Sequence, residues 1–439
     1  MKPDPKIHIK KEKMDQKVNN QDFINHLEYG NLKYLDSVVI STKDSGKLYP
    51  IENMPLCIHL TITMKCNAKC RGCINSSITF KEPFSIESNS SDTIPKRDSA
   101  AIVSLIQKDN TDDVVVCFYG GEPFLAPDKI SEVISFLEKK IRITFLRFMV
   151  YTNGIGIKDA LLSYPEIGDK IWLYSISIDG TEKQHDAIRR GAPLWKIRQN
   201  LSFLKENTFL VNVLMWSTLR EGQSVFDCFE EFLSLHNKGL VDHFFWHFIE
   251  TDGPFVNFSS FAGKYEYDLR KILNIYINYL KKGKVLSIIH LNELILYIIT
   301  GRSRGSSACG VELSRNYDII GGKIQTCADL PSDYSLGVIN IDGSFCIKDR
   351  DLSHLIGYKE VLGCNKCGIH SYCGGRCPVQ ALTGNQIRVK QYCQLMRLHV
   401  AVVLDFIKEI KILLDNKGIS LQDIYNRSAF YTQFTDVTP

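Results

Sequence analysis

The chain has 439 residues, enough for two or three domains with buried cores. Hydrophobic residues make up 44% and charged residues 23%, which are values of a globular protein and exclude a disordered or collagen-like chain. The net charge of +4, from 53 basic and 49 acidic residues, predicts no nucleic-acid partner. No apolar run reaches the ~18–20 residues of a membrane span, and the basic N-terminus lacks the apolar core of a secretory signal. We therefore expect a cytoplasmic protein without a membrane partner.

Six β-rich runs alternate with segments of helical spacing in the first part of the chain. The runs cover 56–63, 114–119, 144–152, 171–178, 209–217 and 243–249. Strands joined by helices of this length need right-handed βαβ crossovers, which produce a parallel sheet. Because a closed TIM barrel has eight such units, six units predict an open, partial (βα)6 TIM-like barrel in an α/β protein.

The composition divides the chain into four predicted segments. Residues 1–55 are an N-terminal arm and hairpin, with room for part of a recognition element. Residues 56–300 are the barrel with two bridging helices. Residues 301–397 are rich in glycine and cysteine, which predicts a small domain organised by metal. Residues 398–439 are a C-terminal helix and tail.

The 14 cysteines are unevenly distributed. In a reducing compartment thiols stay reduced, so clustered cysteines indicate metal binding rather than a disulfide scaffold. Cys57, Cys117 and Cys228 stand alone, and we expect them to be small core residues.

Three cysteines, Cys66, Cys70 and Cys73, form a C-x3-C-x2-C motif directly after the first strand. Three thiolates on one short loop can hold an iron–sulfur cube and leave its fourth iron without a protein ligand. An open coordination position is where a metal centre does chemistry. The alternative, a zinc knuckle, needs a fourth ligand nearby, and the next 40 residues contain no cysteine or histidine. The motif resembles that of the radical S-adenosylmethionine enzymes.

A second motif, Gly120-Gly121-Glu122-Pro123, follows the second strand of the barrel. Two glycines allow close backbone approach to a ligand, and a carboxylate beside them suits an ammonium group. The segment resembles the GGEP motif of the same family, which holds the methionyl ammonium of S-adenosylmethionine.

Further matches follow the third and fourth strands. Asn153 lies in a Thr-Asn-Gly segment, and Ser177 precedes an Ile-Asp-Gly segment. The resemblance implies that Ser177 and Arg189 bind the methionyl carboxylate, with Arg190 and Arg198 as close competitors.

One position departs from the family pattern. The residue before the third cysteine is often aromatic in the family and packs near adenine, but here it is Gly72. Other groups must therefore hold the adenine.

The cysteine-rich end resembles the SPASM domain of radical enzymes that modify peptides and proteins. A zinc ribbon is the alternative, but it uses four cysteines in two pairs, whereas eight are present. The resemblance implies two auxiliary [4Fe–4S] clusters, hence three in all. It places one on Cys364, Cys367, Cys373 and Cys393, and the other on Cys309, Cys327 and Cys377.

The fourth ligand of the second auxiliary cluster is open. Fully ligated relatives have a further cysteine shortly upstream of Cys309, where this chain has Ser303, Ser306 and Ser307. Cys346 is the remaining cysteine and is predicted to complete the site. An open iron is the alternative.

The resemblance implies an enzyme that forms a 5′-deoxyadenosyl radical from S-adenosylmethionine and modifies a ribosomally made precursor peptide by thioether or carbon–carbon crosslinking. It also implies a reductant such as flavodoxin or ferredoxin. A sulfatase-type maturase that makes formylglycine is the second enzymatic interpretation. A non-catalytic iron–sulfur scaffold is the alternative of another class, although a scaffold needs no cofactor pocket. Glu250 and Asp252, after the sixth strand, are candidate proton acceptors or solvated rim charges.

Overall fold

The computed structural model describes eleven parts of the chain. They are residues 55–73, 92–250, 253–301, 307, 309–311, 315–330, 334–348, 354–375, 377–383, 385–435 and 439. The predicted N-terminal arm and hairpin, Asp252, Ser303 and Ser306 lie outside these residues.

The described residues before 301 contain eight strands and eight α-helices. The strands are β1 (Leu56–Thr63), β2 (Lys69–Cys70), β3 (Asp113–Gly120), β4 (Phe145–Thr152), β5 (Ile171–Ser177), β6 (Arg189–Arg190), β7 (Asn212–Leu219) and β8 (His243–Phe248). The helices are α1 (Pro95–Asp109), α2 (Pro127–Lys140), α3 (Ile157–Ser163), α4 (Glu182–Ile188), α5 (Leu194–Asn207), α6 (Val225–Asn237), α7 (Phe258–Lys281) and α8 (Ile289–Thr300).

The six long strands form one parallel sheet in the order β1-β3-β4-β5-β7-β8. All six lie within a few residues of their predicted positions. Among the described strands the sheet order does not return on itself, so the sheet is open. The predicted parallel α/β fold is confirmed.

The sheet is covered on both faces, as parallel sheets are. In β1, Leu56, Ile58 and Leu60 face the surrounding helices, whereas Cys57 and His59 have the opposite parity and face the concave side. The concave side is apolar toward the amino ends of the strands, where residues such as Met149 and Phe245 pack together.

Three further strands extend this sheet beyond β1. They are β9 (Asn316–Ile320), β10 (Lys323–Gln325) and β11 (Gly337–Val338). β9 is parallel to β1, with His59 opposite Asp318, and β10 and β11 follow antiparallel. The expectation of a domain organised by metal alone needs correction here, because the first part of the 301–397 segment is built onto the barrel sheet.

Five α-helices follow within the described residues. They are α9 (His354–Val361), α10 (His370–Cys373), α11 (Pro378–Thr383), α12 (Gln386–Lys417) and α13 (Leu421–Arg427). The predicted boundary at 397/398 falls inside α12, which starts where the Asn385 side chain accepts hydrogen bonds from two backbone N–H groups. α12 packs along α7 and is joined to it by ion pairs, including Arg270 with Asp405. Cys393 therefore stands on a helix anchored to the barrel.

The C-terminal residues close the amino end of the barrel. Tyr431 and Phe434 pack into the apolar concave side, and Tyr151 donates a hydrogen bond to the Phe434 carbonyl at 2.9 Å. The Arg147 guanidinium lies over the Trp172 ring at 5.3 Å and over the Phe434 ring at 5.4 Å. These contacts leave the carboxyl ends of the strands as the open end.

None of the helices in the described residues is long and apolar enough to cross a bilayer.

Candidate active site

A cavity of about 350 Å³ lies at the carboxyl ends of the parallel strands. This is the edge of an α/β sheet where ligand sites form, because the loops after the strands meet there. One part of its lining, which we call the barrel wall, includes Cys66, Cys70, Gly72, Cys73, Gly120, Gly121, Asn153, Ser177, Arg189 and Arg220. Another part, the C-terminal wall, consists of Asp318, Cys327, Ala328 and Asp329, from β9 and the loop after β10.

The loop that carries Cys66, Cys70 and Cys73 is held by backbone contacts. Cys70 pairs with Arg189 in the short antiparallel β2–β6 ladder, and the next N–H, of Arg71, donates to the Ile188 carbonyl at 3.0 Å. The Ala68 N–H donates to the Cys66 sulfur at 3.4 Å. All three thiols line the cavity, as a shared metal site requires.

Gly120 and Gly121 touch the start of this loop so closely that no side chain fits. A Cβ on Gly120 would lie 2.3 Å from the Thr63 carbonyl oxygen, and one on Gly121 would lie 2.3 Å from the Lys65 carbonyl oxygen. Gly120 also has a φ of +128°, which only glycine adopts readily. The glycine turn and the cysteine loop are therefore fixed relative to each other.

Glu122 does not face the cavity. Its carboxylate is fully buried and accepts hydrogen bonds from the Thr152 hydroxyl at 2.7 Å, the Asn153 N–H at 2.7 Å and the Phe124 N–H at 3.2 Å. Burial raises the pKa of Glu122 to about 7, although these hydrogen bonds favour the charged form. The prediction that this segment holds an ammonium group stays a prediction. The carboxylate joins the turn after β3 to the end of β4, and Pro123 continues that turn as the first residue of a short 3₁₀ helix.

Asn153 has a place in the cavity lining. Its side-chain amide donates to the Asn67 side chain at 2.7 Å, within the cysteine loop, and its side-chain oxygen accepts from the Ile155 N–H at 3.0 Å. It therefore connects the end of β4 to the loop.

A buried acid and two arginines lie beyond the end of β5. Asp179 accepts two hydrogen bonds from Arg189, at 2.8 and 3.1 Å, and one from Arg220, at 2.8 Å. Burial alone would raise the pKa of Asp179, but the two guanidinium groups outweigh it and lower the pKa to about 2. Both arginines line the cavity, so this pair supplies positive charge there.

Arg220 is a functional candidate that sequence reasoning missed. Its Nε also donates to the Arg71 carbonyl at 2.7 Å, so one side chain ties the cysteine loop to Asp179. The competing arginines are placed elsewhere: Arg190 is exposed, and Arg198 pairs with Glu231. No motif marks Arg220, whose only signal in the sequence is its position after the fifth predicted strand.

Gly72 has a φ of +64°, and a Cβ there would lie 2.6 Å from Cδ1 of Ile249. Ile249 follows β8 and lines the cavity. It occupies the space beside the position where the family pattern has an aromatic residue.

Three cysteines gather at the C-terminal wall. Burial raises the pKa of the Cys377 thiol, and Glu250, Cys309 and Cys327 are charged groups near enough to add to that rise. The hydroxyl of the buried Ser307 lies 3.9 Å from the Cys309 sulfur. This is the three-cysteine set that the resemblance implied, with a serine beside it.

Cys346 is exposed, and its thiol contacts the Ile347 carbonyl at 3.9 Å. The described contacts do not join it to Cys309, Cys327 or Cys377, so they do not support its predicted role as fourth ligand. The residue follows the Ile339–Phe345 bridge of the β11 region, which presents it to the surface.

The remaining four cysteines gather on the helices that follow. Burial raises the pKa of Cys393 to about 12, and Cys373, Cys367 and Cys364 are the neighbouring thiols that add to it. Arg397 donates to the Cys367 sulfur at 3.5 Å. The structure thus brings together the second set that the resemblance implied.

The spacing of these sulfur atoms tests which metal group fits. A single tetrahedral zinc ion holds two thiolates about 3.8 Å apart, given Zn–S bonds of about 2.3 Å. Among the described residues, the only three His, Cys, Asp or Glu side chains with ligand atoms within 4.8 Å of one another are Cys57, His59 and Cys117. The other described cysteine sets do not meet that spacing, and thiolates in these numbers are the ligands that iron–sulfur clusters use.

Comparisons with known proteins give a family match for the barrel. Residues 60–222 match the family model of the radical SAM superfamily. The chain is 24% identical over 358 residues to the antilisterial bacteriocin subtilosin biosynthesis protein AlbA of Bacillus subtilis, a match that covers 77% of this chain and 71% of AlbA. It is 22% identical over 374 residues to the radical SAM cyclopropyl synthase TigE of Paramaledivibacter caminithermalis, covering 80% of this chain and 75% of TigE.

Among solved structures, native anSMEcpe with bound AdoMet has a TM-score of 0.60 and 16% identity, over 82% of this chain and 100% of that one. This likeness shows the fold. The family match spans the cysteine loop and the motifs after the next strands, which meet at one cavity. We conclude that residues 60–222 are a radical S-adenosylmethionine domain, and that S-adenosylmethionine and a [4Fe–4S] cluster are the cofactors of this domain.

Proposed function

We propose that this enzyme modifies a ribosomally made precursor peptide by forming a thioether or carbon–carbon crosslink. The names of two relatives support this class of activity: AlbA is a bacteriocin biosynthesis protein and TigE is a cyclopropyl synthase. Both relatives align with more than three quarters of this chain.

One observation carries the proposal: the barrel wall and the C-terminal wall line the same cavity. Cys66, Cys70 and Cys73 line it together with Cys327, which belongs to the three-cysteine auxiliary set. A substrate side chain in this cavity would contact the site of radical formation and an auxiliary metal site at once. Crosslinking needs that arrangement, because one group must lose a hydrogen atom while an electron leaves the newly formed bond.

The barrel wall would hold the cofactors. Cys66, Cys70 and Cys73 would ligate the first cluster, and the backbone of Gly120 and Gly121 would lie against the methionyl ammonium. When bound, the reduced cluster and S-adenosylmethionine supply a 5′-deoxyadenosyl radical.

The methionyl carboxylate would lie near Ser177, Arg189 and Arg220. Asp179 orients both guanidinium groups and has no proton to offer near neutral pH, since its pKa is about 2. The charged arginines attract an anion, and the fixed loop keeps the reacting groups in place.

The cysteine-rich end would hold two auxiliary [4Fe–4S] clusters, giving three in the chain. Cys364, Cys367, Cys373 and Cys393 supply four thiolates for one. Cys309, Cys327 and Cys377 supply three for the other, with Ser307 beside Cys309. In this proposal residues 56–300 are the barrel, 301–397 hold the auxiliary clusters, and flavodoxin or ferredoxin is the reductant.

The test is an anaerobic reaction of the reconstituted protein with S-adenosylmethionine, dithionite and each short cysteine-containing peptide that a search of the neighbouring reading frames yields. We expect 5′-deoxyadenosine and a peptide product that has lost the mass of two hydrogen atoms. Tandem mass spectrometry would locate the crosslink. Cys228→Ala, which alters a buried cysteine of α6, is the matched control and should form the same product.

Two results would contradict the proposal. Formylglycine in a cysteine-containing sulfatase peptide, with no change in the precursor peptide, would identify a sulfatase-type maturase. Full cluster content without any 5′-deoxyadenosine would identify a scaffold. In either case the fold and the metal sites would stand and the proposed reaction would not.

A further inference from the structure

A compact group of metal-ligating side chains lies in the apolar interior of the barrel. Cys57 and His59 share the concave face of β1, and Cys117 stands on the same face of β3, directly opposite His59 in the ladder. The two sulfur atoms are 3.7 Å apart, and both thiols are buried. The ligand atoms of all three residues lie within 4.8 Å of one another.

His59 has one ring nitrogen that lacks a hydrogen-bond partner. Its Nδ1 is buried and accepts or donates no hydrogen bond among the described residues. A buried nitrogen in this state is unfavourable unless another group satisfies it, and a metal ion is such a group. The Oδ1 atom of Asp318 lies 3.8 Å from this nitrogen.

The register of three strands explains how these residues meet. Asp318 of β9 and Cys117 of β3 both pair with His59 of β1, so the three side chains form a row across adjacent strands. Cys57 is two residues before His59 and therefore lies on the same face. Buried parallel strands fix this row firmly, because a shift by one residue would turn it away from the interior.

We propose that Cys57, His59 and Cys117 bind one zinc ion, separate from the iron–sulfur clusters, with Asp318 or a cavity ligand in the fourth position. The donor set of two thiolates and one imidazole suits zinc, which prefers tetrahedral sulfur and nitrogen ligands. The 3.7 Å between the sulfur atoms matches the roughly 3.8 Å that a tetrahedral zinc with bonds of about 2.3 Å requires.

The ion would join the barrel to the cysteine-rich end. It would link β1 to β3, and through Asp318 it would reach β9, the strand that carries the C-terminal wall. His59 and Asp318 both line the cavity, so the fourth position of the ion is accessible to a substrate thiolate. The site is independent of the proposed reaction, since its ligands bind no iron in that scheme.

The test measures zinc and iron in anaerobically reconstituted protein after removal of loosely bound metal. We expect about one zinc per chain beside the cluster iron. Cys57→Ala/Cys117→Ala should lower the zinc content by roughly tenfold or more while iron is retained. Cys228→Ala, a buried cysteine on α6 outside this group, is the control and should keep both metals. X-ray absorption at the zinc edge should give two sulfur ligands at about 2.3 Å and nitrogen or oxygen at about 2.0–2.2 Å.

Two results would overturn the proposal: wild-type protein without bound zinc, or equal zinc content in the wild type and the double variant. If the double variant loses iron as well, its folding has failed and His59→Gln decides. The His59 side chain is 24% exposed, so the barrel should tolerate that change. His59→Gln should lose zinc and keep iron, and retention of zinc at the wild-type level would overturn the proposal.

Discussion

The two walls of the cavity differ in how they are built and in charge. The barrel wall is made of strand-end motifs, with cysteines on one loop, two glycines and the Arg189–Arg220 pair. The C-terminal wall comes from a strand added at the edge of the sheet, and it presents two carboxyl groups and a thiol. The first wall suits an anionic cofactor group, whereas the second carries carboxyl groups and, in the proposed scheme, continues into an auxiliary metal site.

This difference indicates that the two walls act in different steps of the reaction. The groups of the barrel wall are fixed by short contacts, such as those of Gly120, Gly121 and Asp179, as radical formation requires. The C-terminal wall lies where the barrel is open, so we expect it to act on the substrate. Changes in the two walls should therefore affect different steps.

The largest effect is expected from the cysteine loop. Cys70→Ala should abolish formation of 5′-deoxyadenosine, because the first cluster loses a ligand. Loss of a side chain that only contacts a metal ligand lowers metal affinity or activity by up to roughly 100-fold. Loss of a ligand itself should lower the rate of 5′-deoxyadenosine formation by more than that. Liquid chromatography of the dithionite-driven reaction measures it, with Cys228→Ala as the control. Cleavage at more than a tenth of the wild-type rate would contradict the assignment of the loop.

A change in the C-terminal wall should separate the two steps. Cys327→Ala should leave 5′-deoxyadenosine formation within about threefold of the wild type, because the first cluster is intact, yet remove peptide modification. Cys373→Ala, in the other auxiliary set, should behave in the same way. Both products are measured in one reaction. Equal loss of both would mean that the auxiliary region is needed for folding, and the division between the walls would fail.

The buried arginine pair should set cofactor affinity. Arg220→Lys cannot keep hydrogen bonds to both Asp179 and the Arg71 carbonyl, so we expect the Kd for S-adenosylmethionine to rise roughly 10- to 100-fold, as for the loss of charged hydrogen bonds. Isothermal titration under anaerobic conditions measures this. Arg198→Lys is the control, because Arg198 pairs with Glu231 and is absent from the cavity lining. A Kd that does not change would remove Arg220 from the site.

Glu122 should make stability depend on pH. Its pKa is raised from 4.5 to about 7, so between these values the folded chain holds a proton that the unfolded chain has lost. The contribution of Glu122 to the free energy of unfolding therefore falls as pH rises from about 4.5 to 7, by on the order of 3 kcal/mol. Glu122→Gln should reduce the change of the free energy of unfolding with pH. Glu132→Gln, at an exposed position of α2, should leave that change as it is in the wild type. Denaturant unfolding at pH 5 and pH 8 would show the difference, and parallel pH profiles for Glu122→Gln and the wild type would contradict it.

The smallest effect is expected at Cys346. Because its thiol is exposed and the described contacts do not join it to the three-cysteine set, Cys346→Ala should retain iron content and all electron paramagnetic resonance signals. Ser307→Ala is the variant to compare with Cys346→Ala, because Ser307 is buried beside Cys309. An auxiliary signal that changes in Cys346→Ala would restore the prediction made from the sequence.

Much of the barrel was predictable because its signals are local. Buried parallel strands are short apolar runs bounded by turns, and the motifs follow directly after them. β9 was missed because it is five residues long, lies among cysteines, and pairs with β1 far away in the chain. The start of α12 was missed because the apolar spacing of a helix is clear only after residue 400.

The sequence predicted which residues form the site better than it predicted what those residues contact. The motifs located Glu122 and Arg189, but not the direction of the Glu122 carboxylate, which depends on hydrogen bonds to the neighbouring strand end. Arg220 and His59 are single residues without a motif, so only the fold brings them to the cavity. Cys57 and Cys117 were expected to be core residues, and burial agrees, but their proximity depends on strand register.

The central claim is that the first cluster has an open iron in the cavity where S-adenosylmethionine binds. Electron paramagnetic resonance of the dithionite-reduced protein, with and without S-adenosylmethionine, tests it most directly. We predict that one cluster signal changes on addition of S-adenosylmethionine, that this signal is absent in Cys70→Ala, and that the other signals remain. A spectrum that S-adenosylmethionine leaves unchanged, in protein with full iron content, would contradict the account.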